Sequence, residues 1–248
     1  MSGPRLIYGN SIGASAMFTI SSSSPSFPRT FLIDEARKTP WRSASLGTPS
    51  VTIDIDLGAS TGIRSLAIIN SNLSSGTHRL YYGATSPATH VVTLSSVNPS
   101  MWVSFFATQT KRYWRLSLQE QSIASGFYQI GEMKLSNFVQ LSKYHDSGAQ
   151  RTRESGIKML ETDGGVRWRL SGFQRKVKTF KFLDLEETGD FAKWERLYED
   201  VGQEHPFLFV INPSVPTSSF FACLDRPLSD SQTKPDRVDM TISLAEDL

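Results

Sequence analysis

Between Val51 and Asn70 the chain reads VTIDIDLGASTGIRSLAIIN, and this stretch constrains the fold more than any other. Val51, Ile53, Ile55 and Leu57 alternate with Thr52, Asp54 and Asp56. Side chains on a strand point to opposite faces in turn, so the apolar set turns inward and both carboxylates turn outward. Gly58 ends the alternation, and Ala59-Ser60-Thr61-Gly62 has the composition of a turn or short loop. Ile63, Leu66, Ile68 and Ile69 then resume a buried strand. The expected unit is two strands of a sandwich with one wet face, not a catalytic motif.

Further short strands are expected at Arg5–Tyr8, Ala16–Ile20, His78–Gly83, Val91–Leu94, Met101–Phe106, Lys111–Leu118 and Gly126–Leu135. In KRYWRLSL, Tyr113, Arg115 and Ser117 share one face, and Trp114, Leu116 and Leu118 share the other. Trp41 reads as a core plug, and Gly131 as the mark of a bulge. So many strands with no helical periodicity argue for a β-sandwich.

Asp34, then Thr39-Pro40-Trp41-Arg42-Ser43, then Val51–Gly58, then Arg112-Tyr113-Trp114-Arg115-Leu116, then Ile130-Gly131-Glu132-Met133 follow one another in order. That order resembles the discoidin-like, galactose-binding-like jelly roll of coagulation-factor C-type domains, over about residues 5–137. The resemblance implies a non-catalytic module that binds sugars, lipids or proteins through loops at one end. On that basis the polar stretch with Ser71, Asn72, Ser74, His78 and Arg79 is a candidate glycan-binding loop, with Asn72, His78 and Arg79 as its ligands; an ordinary loop is the alternative. The sequence departs from the secreted members in lacking their terminal cysteine pair, which favours a microbial or viral setting. Cys223 is the single cysteine, within the apolar run FFACL, so a buried inert thiol and folding in a reducing compartment are expected.

The pattern changes after the junction at 137–150. Residues 1–137 form the first expected domain and 138–248 the second. In the second, strands are expected at Gly156–Leu160, Val166–Leu170 and Val177–Leu185, with a hairpin turn at Asp163-Gly164-Gly165. One helix follows near 190–201, with Asp190 as N-cap, Phe191, Trp194, Leu197 and Val201 on its apolar face, and Gly202 as its stop. Phe207–Ile211, Phe220–Leu224 and Arg237–Leu244 are strands again, and Ser229-Asp230-Ser231 reads as a turn. The fold class is mainly β: a jelly-roll sandwich plus a β-rich α+β domain, a split barrel capped by one helix. The second half looks like the tail-hub domains of tailed bacteriophages.

Chemistry is sparse. Asp54 and Asp56 lie about 7 Å apart on one strand face, a spacing that carboxylate pairs of glycosidases use; exposed surface charge explains them better. His78, His90, His145 and His205 are mutually remote in sequence, and no zinc, phosphate-loop or nucleophile-elbow pattern occurs. No catalytic residue, metal site or cofactor is expected. Arg167, Arg169, Arg175, Lys176 and Lys178 form a basic stripe, read as a subunit interface or solvated face rather than a nucleic-acid track. Residues 1–137 hold 11 basic against 6 acidic residues and 138–248 hold 15 against 18, so like copies can attract head to tail. No run approaches the roughly 20 apolar residues of a membrane span, and the first ten residues lack a signal-peptide core. The leading expectation is a structural protein of a phage tail tip or baseplate. It would assemble as a ring in the host cytoplasm, reside in the virion tail, and contact the tail tube, tape measure and tail-tip proteins. A carbohydrate-binding module or adhesin acting on a host-surface glycan is the alternative, and a cryptic hydrolase the third reading.

Overall fold

The structure is a computed structural model. It describes residues 3–246 apart from 14–16, 37, 47–49, 74–76, 87–89, 95, 99–100, 120–122, 146–149, 156–157, 162–166, 171–173 and 214–218. Among the described residues the chain is mainly β, with antiparallel sheets and one α-helix. It divides into two compact units, one of residues 5–139 with 212–219, the other of residues 1–4, 140–211 and 220–248.

The first unit contains β1 (Arg5–Ile7), β2 (Met17–Ile20), β3 (Trp41–Arg42), β4 (Val51–Ile69), β5 (Arg79–Gly83), β6 (His90–Thr93), β7 (Ser96–Asn98), β8 (Met101–Leu118), β9 (Gln129–Ile130) and β10 (Glu132–Ser136). β4 and β8 are its frame. They pair antiparallel from Val51 opposite Leu118 to Ile69 opposite Met101. The expected turn at Gly58–Gly62 is therefore corrected. The chain runs through it as one strand of 19 residues, and the two strands expected within 101–118 are likewise one. The reason is a bulge: the register slips between Asp56 and Thr61, where Gly58 takes φ +76°, so the ribbon bends without ending.

Before the slip, β2 adds to β4, and β5 and β6 extend from β8. Beyond it, β10 adds to β4 and β7 to β8. Each long strand thus serves both layers. The inward residues of both stretches, such as Ile53, Ile68, Trp114 and Leu135, meet Trp41 in one buried cluster. Trp41 is the expected core plug and donates its indole N–H to Ser23 Oγ at 3.2 Å. Gly131 parts β9 from β10, its amide directed at the carbonyls of Ile69 and Asn70.

β10 carries charge into this core. Glu132 and Lys134 are both fully buried. Glu132 Oε2 accepts the Glu35 amide at 3.0 Å, and Lys134 Nζ lies 3.4 Å from Glu35 Oε1. Glu132 Oε1 has no hydrogen-bond partner among the described residues. Burial is the main reason that the Glu132 carboxyl is pushed up to about 8.

β11 (Val139–Gln140) follows. The second unit contains β12 (Gln150–Ser155), β13 (Lys158–Glu161), β14 (Arg167–Leu170), β15 (Gln174–Glu186), α1 (Ala192–Val201), β16 (Phe207–Val210), β17 (Ser219–Leu224), β18 (Ser229–Lys234) and β19 (Arg237–Glu246). Within it the sheet order is β12–β15–β19–β17–β16, with β18 also paired to β19; β13 and β14 form a separate hairpin. The expected Asp163-Gly164-Gly165 turn lies outside the described residues. On β19, Val238, Met240, Ile242 and Leu244 are buried, as their alternation requires.

Two expectations are corrected here. Ser229-Asp230-Ser231 is not a turn but the start of β18, a fully exposed strand that pairs with Arg237–Thr241. An exposed strand carries no apolar alternation, so nothing in its composition announces it. Asp190 does not cap the helix. It is buried, its Oδ2 accepts the amides of Ser142 and Lys143 at 2.7 and 2.8 Å, and its Oδ1 accepts Lys193 Nζ at 2.8 Å. A five-residue π turn, Glu187–Phe191, leads into α1 instead. Trp194 then anchors the helix against Phe182 and Phe209, with ring centroids 5.5 and 5.7 Å away. Gly202, at φ +56°, stops the helix as expected.

Candidate functional site

The outer face of the β2–β4–β8–β5–β6 layer gathers the polar and aromatic groups of the sandwich. Alternation sends Ile53, Ile55, Trp114 and Leu116 into the core, so Asp54, Asp56, Tyr113 and Arg115 must face out. Register sets them in two rows. Thr19, Asp54, Arg115, Tyr81 and Val91 form one; Met17, Asp56, Tyr113 and Gly83 form the next.

Both carboxylates are held by arginines. Arg112 donates from Nε and a terminal nitrogen to Asp56 at 2.6 and 2.8 Å. Arg115 grips Asp54 the same way, its terminal nitrogen at 3.0 Å from Oδ2. The Gly58 amide adds a third bond to Asp56 at 2.8 Å. Arg112, and then that amide, hold the Asp56 carboxyl below the usual carboxylate range. A carboxylate fixed in its ionised form by a bidentate guanidinium is a poor proton donor at neutral pH. Asp54 and Asp56, which share the glycosidase-like spacing, are thus each paired with an arginine on this face.

The aromatic and apolar parts sit beside these pairs. The Arg112 guanidinium lies 5.0 Å from the Tyr113 ring centroid. Met17 is 66% exposed and Val91 49% exposed, unusual for side chains of their kind. A hollow of about 220 Å3 is lined by Asp54, Asp56, Tyr113, Met17 and Thr19. A second, of about 590 Å3, is also bordered by Met17 and Thr19, with Arg29 and Ile33 in its wall. Such a face offers a flat ring for stacking and rigid planar groups for paired hydrogen bonds. A bidentate pair takes two of a guanidinium's five donors.

The structure places the expected glycan ligands in three different settings. Arg79 is exposed on this same outer face, opposite Ser117 and next along from Arg115. Asn72 is committed to the fold: its amide donates to Ser125 Oγ and to the Phe127 carbonyl, and its Oδ1 accepts the Gln129 amide at 2.7 Å. His78 is buried, with Nδ1 accepting the Gln119 amide and its ring edge-on to Trp102 at 4.8 Å. Ser74 lies outside the described residues. Sequence reading set Tyr113 with Arg115, and Asp54 with Asp56, on shared faces; which strand lies beside which, and hence the Tyr81 neighbour and the arginine partners, required the pairing.

The basic stripe is split. Arg167 and Arg169 occupy β14, at the positions opposite Glu161 and Met159. Arg175 stands opposite Glu154 on β15. Lys176 lies 3.6 Å from Glu246, and Lys178 sits over the Phe220 ring at 4.0 Å. Cys223 is partly buried on β17. Among the described residues no three His, Cys, Asp or Glu side chains converge to hold a metal, and no helix is long and apolar enough to cross a membrane.

No family model matches the chain, and no curated protein matches it. Solved structures do. The module CpGH89CBM32-5 from Clostridium perfringens, in complex with GalNAc-β-1,3-galactose, is 17% identical over 52% of this chain and 100% of its own, with a TM-score of 0.42. Chitosan-binding module 1 from the chitosanase/glucanase of Paenibacillus sp. IK-5 gives 17%, 52%, 100% and 0.44 in the same order. The Ruminococcus gnavus GH29 fucosidase in complex with fucose is 16% identical over 53% of this chain and 27% of its own, with a TM-score of 0.44.

Proposed function

We propose that this protein is a non-catalytic glycan-binding protein that engages a saccharide through the outer face of its N-terminal sandwich. One observation carries the reading: Tyr81 and Tyr113 share that face with two bidentate aspartate–arginine pairs beside an open hollow. Sugar rings present apolar C–H faces and a rim of vicinal hydroxyls. A tyrosine ring matches the first through dispersion. Planar carboxylate and guanidinium groups match the second, and their mutual pairing freezes them in place before a ligand arrives. The discoidin-like order of motifs in the sequence supports the same ligand class.

The test is a glycan array on the full chain, followed by calorimetry on the best ligand. Tyr113→Ala is expected to weaken binding at least about tenfold, or about 1.4 kcal/mol, with the fold retained. Arg115→Gln should do the same. Full affinity in both variants, or hydrolysis of the bound glycan, would overturn the reading.

A second reading has its own support. β12 ends the sheet of the second unit, and β18 exposes all six of its residues. Open strand edges are where other chains add. This favours a structural component of a phage tail tip or baseplate, closing into a ring with tail tube, tape-measure and tail-tip proteins as neighbours in the virion. The two readings are compatible, since attachment and scaffolding can share one chain. Native mass measurement separates them: a defined oligomer supports the ring, and a monomer that binds glycan leaves the first reading alone.

A further inference from the structure

The remains of the basic stripe point to a separate site. β12 and β15 pair antiparallel, with Arg151 directly opposite Lys178 and Arg153 opposite Lys176. Positions opposite one another share a face, so the Arg151 and Lys178 side chains meet as like charges. Like charges placed directly opposite one another are destabilising. Arg151, Lys176 and Lys178 line a cleft of about 350 Å3 whose carboxylate, among the described residues, is Glu246. Glu246 is 3.6 Å from Lys176, which leaves Arg151 and Lys178 facing one another across the strands.

We propose that this cleft is an oxyanion-binding site, which takes a carboxylate or phosphate group between Arg151 and Lys178. The volume falls at the lower end of the range for small-ligand pockets. The Arg151 fork supplies paired donors in one plane, and the Lys178 ammonium a compact charge from the neighbouring strand. Lys178 is already drawn out of water, with its Nζ 4.0 Å from the Phe220 ring centroid. Burial, and then the charges of Arg151 and Lys176, push its ammonium below the usual lysine range, against the pull of Glu246. An anion between the two cations relieves that repulsion.

The experiment titrates the full chain with sodium phosphate and, separately, with sodium citrate, with chloride balancing the ionic strength. Amide NMR shifts on β12, β15 and β19 are read together with Tm. A saturable shift confined to those strands, with a rise in Tm, is expected for at least one anion. Phosphate alone points to a phosphorylated ligand, citrate alone to a carboxylate one. Lys178→Met keeps the apolar stem over Phe220 but removes the charge. It should weaken binding about tenfold and, in chloride alone, leave Tm equal to or above that of the wild type. No saturable shift with either anion, or binding as tight as the wild type's in both Lys178→Met and Arg151→Gln, would overturn the proposal.

Discussion

Replacing Glu132 by Gln should make the sandwich more stable at neutral pH and flatten its response to acid. The Glu132 carboxyl has an ordinary value of 4.5 and is pushed up to about 8 in the fold. Folding therefore takes up a proton wherever the pH lies between those values. The stability that depends on that proton is fully present below the unfolded value and is lost as pH rises through the folded one. At about 1.4 kcal/mol per pH unit, the penalty at pH 7 is roughly 3 kcal/mol, most of it acquired above pH 5. Glutamine keeps an acceptor for the Glu35 amide and carries no charge to desolvate. The assay is urea unfolding of the full chain at pH 5, 7 and 8.5, followed through β4 and β10 amides so that the sandwich is read by itself. The stability difference between Glu132→Gln and wild type should grow by about 2 kcal/mol or more from pH 5 to pH 7. A difference that stays constant, or that favours the wild type at pH 7, would refute the reasoning and mean that Lys134 and the Glu35 amide keep the carboxylate ionised.

Asp190→Ala removes the acceptor of two backbone amides and the partner of Lys193. It should cost the second unit about 3 kcal/mol, read as a lower urea midpoint for α1 and β15 amides with the β4 amides unchanged. Gly58→Ala forces a side chain into φ +76° and should cost the sandwich about 1–2 kcal/mol, measured by the same titration; Gly58→Asn should cost less. Gly3→Ala would set a Cβ 1.9 Å from the Leu141 carbonyl oxygen, so the amide of Leu141, bonded to the Pro4 carbonyl, should lose protection from hydrogen exchange.

The parts of this fold that are legible in sequence are those with an apolar period. Val51 to Leu57, Tyr113 to Leu118 and Val238 to Leu244 announce strands and their faces. Phe191, Trp194, Leu197 and Val201 announce a helix. What stays hidden depends on partners far along the chain. Ala59-Ser60-Thr61-Gly62 has turn composition, yet pairing with β8 carries the strand across it. Asp190 looks like a cap because it precedes a helix; its true partners, Ser142 and Lys143, lie nearly fifty residues earlier. The candidate site was half visible. Faces follow from alternation, so Asp54 and Asp56 were correctly set outward, but only strand order brings Arg112, Arg115 and Tyr81 to them. His78 and Asn72 stand out through their polarity and the discoidin-like resemblance, neither of which tells a group that meets ligand from one that holds backbone.

The bent ribbon of β4 and β8 has a consequence for how this unit comes apart. Because the same two strands continue from one layer into the other, neither layer owns a set of strands that it could keep after the other has gone. Loss of either half strips the apolar side of its counterpart, so the two should melt together. Their partners are also separated by some thirty to seventy residues of chain, which makes docking of the second long strand onto the first the slow, committing event in assembly.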